Sequence, residues 1–192
     1  MHRTVLKGMI AALVLAATLG ACSTVAPHSG TVATAGLAVA QAAHLVARLL
    51  GGESLALVSD AGTPLVSDPG FRVVRAARAA GIRVSPVPGA CAAIAALSVA
   101  GLPSDRFVFE GFLPAKASAR RERLARLVSE PRTLIFYESA HRIDEALDDM
   151  AAAFGDDRPV VLARELTKLF ETVLDGPLSE VRGKVATDAN QR

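Results

Sequence analysis

The chain has 192 residues, a net charge of +2 at neutral pH and 51% hydrophobic residues, enough for one core or two small ones. Aromatic residues make up only 4%, with one tyrosine and no tryptophan, which excludes an extended aromatic platform for nucleic-acid bases. Two cysteines, Cys22 and Cys91, are too few for a disulfide framework, and no His, Cys and carboxylate cluster has a familiar metal-ligand spacing.

The first 22 residues differ in pattern from the rest of the chain. An apolar run follows Arg3 and Lys7, and small residues lead from that run to Cys22. A basic start, a short apolar stretch and a small-residue cleavage site are typical of a secretory signal. We therefore predict a lipoprotein-like signal segment over 1–22, with lipid attachment at Cys22, followed by a linker over 23–36. An ordinary buried N-terminal helix is the alternative.

Residues 37–103 alternate helices and strands, which predicts a small α/β domain. The predicted elements are a helix over 37–50, a strand over 55–58 buried on both faces, a helix over 71–80 with Asp68 as N-cap and Pro69 in its first turn, a strand over 82–87, and an alanine-rich helix over 90–100. Gly62 lies in the loop after the first strand, and its lack of a side chain would let a ligand approach the backbone. Ligands of α/β proteins bind at this end of the strands.

Residues 104–192 repeat the alternation and predict a second α/β domain. The predicted elements are strands over 107–110, 133–137, 160–163 and 171–174, and helices over 118–129, 140–154 (with Ser139 as N-cap) and 178–185. The densest basic run precedes and enters the first of these helices. Helical spacing would place Lys116, Arg120 and Arg123 on one face, where they could contact phosphates. A solvated helix face is the alternative.

Five short motifs carry a resemblance to a known family. They are Ser59-Asp60-Ala61-Gly62-Thr63-Pro64 with Ser67-Asp68-Pro69-Gly70; Pro86-Val87-Pro88-Gly89-Ala90; Phe109-Glu110-Gly111-Phe112-Leu113-Pro114; Phe136-Tyr137-Glu138-Ser139 with His141-Arg142; and Arg164-Glu165-Leu166-Thr167-Lys168. In these motifs the chain resembles the small-subunit ribosomal RNA (cytidine-2′-O)-methyltransferases of the tetrapyrrole-methylase-like superfamily. The resemblance covers residues 49–192. It implies a two-domain α/β fold of that superfamily, truncated at both ends, with a first domain that lacks the family's opening strands.

The resemblance also implies a cofactor and a reaction. S-adenosylmethionine would lie between the two domains and donate its methyl group to a cytidine ribose in small-subunit ribosomal RNA. The residues implied to bind the cofactor are Asp60, Ala61, Gly62, Thr63, Pro64, Pro88, Gly89 and Ala90. Two ordinary turns at strand ends are the alternative for these loops.

The acceptor hydroxyl must lose a proton, and four residues in the matching motifs carry suitable groups. These candidates are Glu138, His141, Glu165 and Lys168, with helix capping and ion pairing as the alternative for each. Tyr137 and Arg142 join Lys116, Arg120 and Arg123 as predicted RNA contacts. Tyr137 would stack on a splayed base, and core packing is its alternative.

The signals for cellular location conflict. The family implies a cytoplasmic enzyme that meets the small ribosomal subunit and pairs as a homodimer, whereas a functional leader implies export and a membrane anchor. We expect a fusion or frame error that joins a lipoprotein start to a methyltransferase fragment, which itself could be inactive. Two other functions stay open: a membrane-anchored lipoprotein with a non-enzymatic α/β binding module, and a methyltransferase for a tetrapyrrole or another small molecule.

Overall fold

The computed structural model describes residues 11–15, 31–34, 39–59 and 62–188. These residues form two compact units. The small unit contains the described residues from 31 to 91, and the large unit combines strand β1 (Ala11–Leu15) with residues 92–188. The units divide between residues 91 and 92, about a dozen residues before the boundary predicted at residue 103. None of the helices in these described stretches has both the length and the apolar character needed to cross a membrane.

The small unit has a two-stranded parallel sheet and two helices. Its elements are β2 (Thr31–Thr34), α1 (Val39–Leu50), β3 (Leu55–Val58) and α2 (Phe71–Ala79). Strands β2 and β3 pair in register from Thr31 opposite Leu55 to Thr34 opposite Val58. Ala42 and Leu45 of α1 pack with Val73 of α2, because these residues recur on the inner face of each helix.

Three predictions for the small unit are wrong. Strand β3 is shielded only at alternate residues, and Val58 is 40% exposed, because the strand has one partner in a two-stranded sheet. The segment 82–87 forms no strand and is mostly exposed, since no described strand pairs with its backbone. Helix α2 has Gly70 at its N-cap position, with φ 125°, so the helix begins after the predicted cap, Asp68.

The large unit is built on a five-stranded sheet. Its other elements are α3 (Ala92–Val99), β4 (Phe107–Phe112), α4 (Ala117–Leu127), β5 (Thr133–Tyr137), a 3₁₀ turn (Ala140–Arg142), α5 (Ile143–Phe154), β6 (Pro159–Arg164), β7 (Thr172–Pro177) and α6 (Leu178–Thr187). The strand order is β4-β5-β1-β6-β7, with β7 antiparallel to β6 and the other pairs parallel. The α/β class predicted from the sequence is confirmed.

The middle strand of this sheet comes from the N-terminal segment. Strand β1 pairs with β5 from Ala11 opposite Leu134 to Val14 opposite Tyr137, and it pairs with β6 on its other side. Residues 11–15 therefore form a strand, whereas the sequence predicts a signal segment or, as the alternative, a buried helix. The signal segment over 1–22 stays a prediction, and its Cys22 lies outside the described residues.

The main core of the large unit lies between the sheet and helices α4, α5 and α6. Leu134 and Phe136 of β5 pack there with Leu124, Leu147 and Val181, all of them fully buried. Each such side chain contributes roughly 1.5–3 kcal/mol on burial. Helix α3 packs against β1 and β5, so all five residues of β5 are buried. The core therefore fixes the position of β5, whose last two residues begin the motif Phe136-Tyr137-Glu138-Ser139.

Candidate functional site

A hydrogen bond joins the two loops that the family resemblance implies as the cofactor site. The Thr63 hydroxyl donates to the Ala90 carbonyl oxygen at 3.0 Å. A Cβ built on Gly62 would lie 4.0 Å from the same carbonyl oxygen, so the backbone of the first loop also approaches the second. Both loops belong to the small unit, where they follow β3 and precede residue 92. Their spacing is therefore fixed by a direct contact.

The backbone of both loops is open to a ligand. Gly62 has φ 73°, and a Cβ there would meet nothing closer than the Ala90 carbonyl. A Cβ on Gly89 would have no atom within 4 Å, and Pro88 and Ala90 are exposed. A ligand can approach these backbone groups without displacing side chains. The loops thus fit a cofactor held mainly by backbone contacts; Asp60 and Ala61 lie outside the described residues.

The segment between this loop and α2 has an unusual backbone. Leu65 and Ser67 adopt φ 73° and 54°, a region that residues with a Cβ seldom occupy. Each such residue costs of order 1–3 kcal/mol and is typical of functional loops. The Oδ2 atom of Asp68 is buried without a hydrogen-bond partner among the residues the structure describes. A strained loop with an unused acceptor is suited to a ligand that brings a donor.

Glu138 follows β5 and is fully buried in the large unit. Its Oε1 atom accepts hydrogen bonds from the Ser139 N–H at 2.8 Å and from the Arg142 guanidinium, which also donates to the Leu113 carbonyl at 3.5 Å. Its Oε2 atom has no partner within the described part of the chain. Arg142 is thus engaged in a partly buried ion pair, which fixes the 3₁₀ turn that follows β5.

The other three catalytic candidates differ from Glu138 in exposure and pairing. His141 lies on the 3₁₀ turn, is exposed and has no hydrogen-bond or ion-pair partner in the described residues. Glu165 and Lys168 form an ion pair, with Nζ 3.3 Å from Oε2, across a turn after β6. Glu165 and Thr167 have φ 51° and 65°, so this turn is strained as well.

The sheet brings these candidates to one edge of the large unit. Val14 of β1 is in register with Tyr137 of β5 and with Ala163 of β6. Glu138 and Arg164 are the next residues on those two parallel strands, so they lie at the same level on either side of β1. The carboxyl edge of a parallel sheet is where α/β proteins bind ligands.

Arg120 is not placed to contact RNA as the sequence predicted. It is 2% exposed, with Nε 2.6 Å from Asp149 Oδ2 and Nη2 3.1 Å from Glu145 Oε2. Burial lowers its pKa, but the hydrogen bonds to Asp149 and Glu145 outweigh burial and raise the pKa above its ordinary value. These acids come from α5, which packs on α4. The guanidinium therefore links two helices of the core.

Much of the remaining basic run on α4 is neutralised by acidic partners. Arg123 donates from Nε to Glu110 Oε2 at 2.7 Å. Glu110 is the extra residue of a β-bulge, because the register passes from Phe109 opposite Ile135 to Gly111 opposite Phe136. The further pairs on α4 are Arg121 with Asp149 and Arg126 with Glu122. The exposed Lys116 has no ion pair within the described part of the chain.

Tyr137 is a core residue and cannot stack on a base as predicted. Its side chain is 7% exposed, and its hydroxyl oxygen accepts a hydrogen bond from the Ala93 N–H at 3.1 Å. The rings of Phe109 and Phe112 lie 5.0 and 5.6 Å from its ring, edge to face. Such pairs are a usual packing of buried aromatic residues.

A second basic surface lies on α2, outside the predicted RNA contacts. Arg72, Arg75 and Arg78 are exposed on this helix, which has no acidic residue. The signal that could have found them is in the sequence, because arginines at every third position of an acid-free helix gather on one side.

Comparison with known proteins finds one matching family model and several similar curated proteins. The family model of the tetrapyrrole (corrin/porphyrin) methylases matches residues 11–182. The ribosomal RNA small subunit methyltransferase I of Xylella fastidiosa (strain Temecula1) is 69% identical over 151 residues, which are 79% of this chain and 55% of that protein. The proteins of the same name from Pseudomonas aeruginosa and Escherichia coli O157:H7 are 64% and 58% identical, over 78% and 79% of this chain and 53% of each relative. The chain therefore spans about half the length of the curated relatives it matches.

Proposed function

This chain belongs to the tetrapyrrole (corrin/porphyrin) methylase family, and on that premise we propose that it transfers a methyl group from S-adenosylmethionine to small-subunit ribosomal RNA. The acceptor we propose is the 2′-hydroxyl of a cytidine ribose. The observation that carries this proposal is the high identity to proteins named ribosomal RNA small subunit methyltransferase I. The same names favour RNA over a tetrapyrrole or another small molecule as the substrate.

The cofactor-binding residues we propose are those of the two joined loops. Gly62, Thr63 and Pro64 would offer one backbone edge, and Pro88, Gly89 and Ala90 the other; Asp60 and Ala61 belong to the same motif. When bound, S-adenosylmethionine supplies a methyl group on a positively charged sulfur. Because that charge disappears as the methyl leaves, the protein needs to position the cofactor more than to stabilise new charge. The hydrogen bond from Thr63 to Ala90 supports this role, since it holds the two edges at a set distance.

His141 is the residue we propose as the acceptor of the hydroxyl proton. It is exposed and has no partner in the described part of the chain, so its imidazole is free to accept a hydrogen bond. Glu138 would act as a positioning residue, because its ion pair with Arg142 holds the turn that carries His141. Glu165 and Lys168 would shape the neighbouring turn after β6 through their own ion pair.

The proposed partner is the small ribosomal subunit, and the proposed assembly is a cytoplasmic homodimer. Lys116 remains a proposed phosphate contact because it is exposed and has no ion pair among the described residues, and Arg123 remains one through the exposed part of its side chain. Light scattering coupled to size-exclusion chromatography measures the assembly directly. A monomer at every concentration would remove the homodimer from the proposal.

Three measurements on the full chain test the function. Calorimetry with S-adenosylmethionine measures cofactor binding, and transfer of a radiolabelled methyl group to purified small subunits measures the reaction. Primer extension at low nucleotide concentration then locates a 2′-O-methylated ribose. A chain that binds no S-adenosylmethionine would favour a non-enzymatic binding module. A chain that binds the cofactor but methylates only a tetrapyrrole would favour the small-molecule enzyme.

A further inference from the structure

We propose that the exposed face of α2 binds the phosphate backbone of the RNA. This inference rests on the proposed function, because it takes RNA as the substrate. The residues that carry it are Arg72, Arg75 and Arg78, with Arg83 just beyond the helix, and we call them the α2 arginines. All four are exposed. They belong to the small unit, which also contains the two joined loops.

The helix holds three of these guanidinium groups in a regular row. Residues three apart on a helix have Cβ atoms about 5–6 Å from each other, and six residues advance about 9 Å along the axis. Val73 and Ala77, on the opposite side, are buried, and Val73 packs against α1. The helix therefore cannot turn its arginines inward without exposing its core face. A row of spaced cations matches a strand of regularly spaced phosphates.

Among the described residues, these arginines have no acidic partners of the kind that the basic run on α4 has. Within the described residues, Arg72, Arg78 and Arg83 make no ion pair or hydrogen bond from their side chains. On α4, by contrast, Arg120, Arg121, Arg123 and Arg126 each pair with a carboxylate. A guanidinium that is already paired has less to gain from a phosphate. The α2 arginines are therefore the better phosphate contacts, although the α4 run is denser in sequence.

The arrangement of charge on α2 does not serve the stability of the helix. Arg72 lies in the first turn, where the helix dipole favours acidic residues, and that turn contains none. Like charges at neighbouring positions on one face repel each other. Only Arg78, in the last turn, has a favourable position. A polyanion lying along the face would offset both unfavourable terms.

Phe71 adds a feature that suits nucleic acid. Its ring is 60% exposed, and the Arg75 guanidinium carbon lies 5.3 Å from the ring centroid. This cation–π contact orders one arginine of the row. An exposed ring beside guanidinium groups is also a surface on which an unpaired base can stack. An anionic membrane would use the same charges, but it would need a broader apolar face than one phenylalanine.

The test removes three charges from α2 and compares the result with three charges removed elsewhere. The variant is R72Q/R75Q/R78Q in the full chain, and the matched control is R121Q/R126Q/R132Q, whose arginines are exposed but paired with acids. Binding to purified small-subunit ribosomal RNA is measured from about 50 to about 300 mM KCl, a range over which the Debye length falls from above about 10 Å to below it. Calorimetry with S-adenosylmethionine on each protein monitors the cofactor site separately.

We expect the α2 variant to bind RNA about 10- to 100-fold more weakly near physiological salt, with the slope of log K against log salt reduced by about 2. The control should change RNA affinity less than about threefold, because its arginines are paired. Equal losses in both variants, or unchanged affinity in the α2 variant, would overturn the inference. The inference would also be overturned if the α2 variant bound RNA as the parent does but no longer bound anionic phospholipid vesicles. Failure of the parent to bind S-adenosylmethionine would instead count against the proposed function, and RNA binding would still decide this inference.

Discussion

Thr63 donates its hydroxyl hydrogen to the carbonyl oxygen of Ala90, and this contact links two loops 27 residues apart in sequence. A sequence pattern can place a turn at each position, but it does not show that the turns touch. Because both loops are otherwise open, the bond is well placed to set the width of the gap between their backbone edges. It is therefore the first contact to test.

Replacing Thr63 with valine keeps the shape of the side chain and removes the donor. We expect the Kd for S-adenosylmethionine to rise about 3- to 10-fold, because one hydrogen bond of this kind contributes about 0.5–1.5 kcal/mol. Calorimetry measures the change. Thr187→Val is the matched control, since Thr187 Oγ1 bonds to the Gly183 and Lys184 carbonyls in α6, in the large unit. Equal cofactor affinity in T63V and the parent would show that the contact does not shape the site.

Gly70 should not tolerate a side chain. A Cβ there would lie 2.9 Å from Leu57 Cδ2 and 3.2 Å from Leu65 Cδ1, and φ is 125°. We expect Gly70→Ala to lower the free energy of unfolding by about 2–3 kcal/mol, from backbone strain and crowding together. Gly81→Ala has a positive φ but nothing within 4 Å of the added Cβ, so urea denaturation should show a smaller loss. Similar losses of unfolding free energy in both variants would show that the Leu57 and Leu65 side chains move aside and that crowding adds nothing at Gly70.

Arg120 should matter for stability and not for RNA binding. We expect Arg120→Ala to lower the free energy of unfolding by about 3–5 kcal/mol, because it leaves a cavity and breaks a buried ion pair. Arg121 contacts the same Asp149 but is 66% exposed, so Arg121→Ala should cost no more than about 1 kcal/mol. Urea denaturation gives both values, and RNA affinity should be unchanged in each. A selective loss of RNA affinity in R120A would restore the original sequence prediction.

His141→Gln tests the proposed proton acceptor. We expect kcat for methyl transfer to fall about 100-fold or more, with the Kd for S-adenosylmethionine unchanged, because only proton removal is lost. His44→Gln on α1 removes another exposed histidine and should leave kcat unchanged. A variant that keeps the parent's kcat would exclude His141 as the proton acceptor.

The ion pair between Glu130 and Arg132 makes a pH-dependent prediction. Hydrogen bonds from the Arg132 side chain and N–H lower the pKa of Glu130 from 4.5 to about 2. The folded protein thus releases the Glu130 proton more readily than the unfolded chain. The ion pair therefore stabilises the fold above pH 4.5, and this stabilisation is lost as the pH falls toward about 2. In Arg132→Gln the pKa should move back toward 4.5, as measured by NMR titration of the Glu130 carboxyl. A parent pKa near 4.5 would contradict the pairing.

The sequence predicts best those elements whose environment is uniform. The strand over 133–137 has the predicted bounds, because a continuous apolar run indicates a strand buried on both faces, whichever strands pair with it. The segment 82–87 alternates apolar and polar residues, as a half-buried strand does, but it has no partner strand among the described residues and its backbone is irregular. Local pattern therefore predicts the tendency to extend, and pairing decides the outcome.

The candidate site shows the same division between local and distant information. The loop motifs of the small unit follow from the order of residues, whereas the ion pair of Arg120 with Asp149 joins residues 29 apart. Tyr137 is similar, because its hydroxyl meets the N–H of Ala93, 44 residues away. The sequence shows that a residue has a charge or a ring, but it does not show whether that group already has an ion-pair or hydrogen-bond partner within the fold.

Because β1 is the middle strand, the five-stranded sheet depends on residues near the N-terminus. A peptidase that cut before Cys22 would discard the strand over Ala11–Leu15 and leave β5 and β6 with facing, unmatched backbones. A molecule with the complete sheet therefore keeps residues 11–15, which cleavage at the predicted site would remove. If the predicted signal segment were cleaved before Cys22, the five-stranded sheet could not form as the structure shows it.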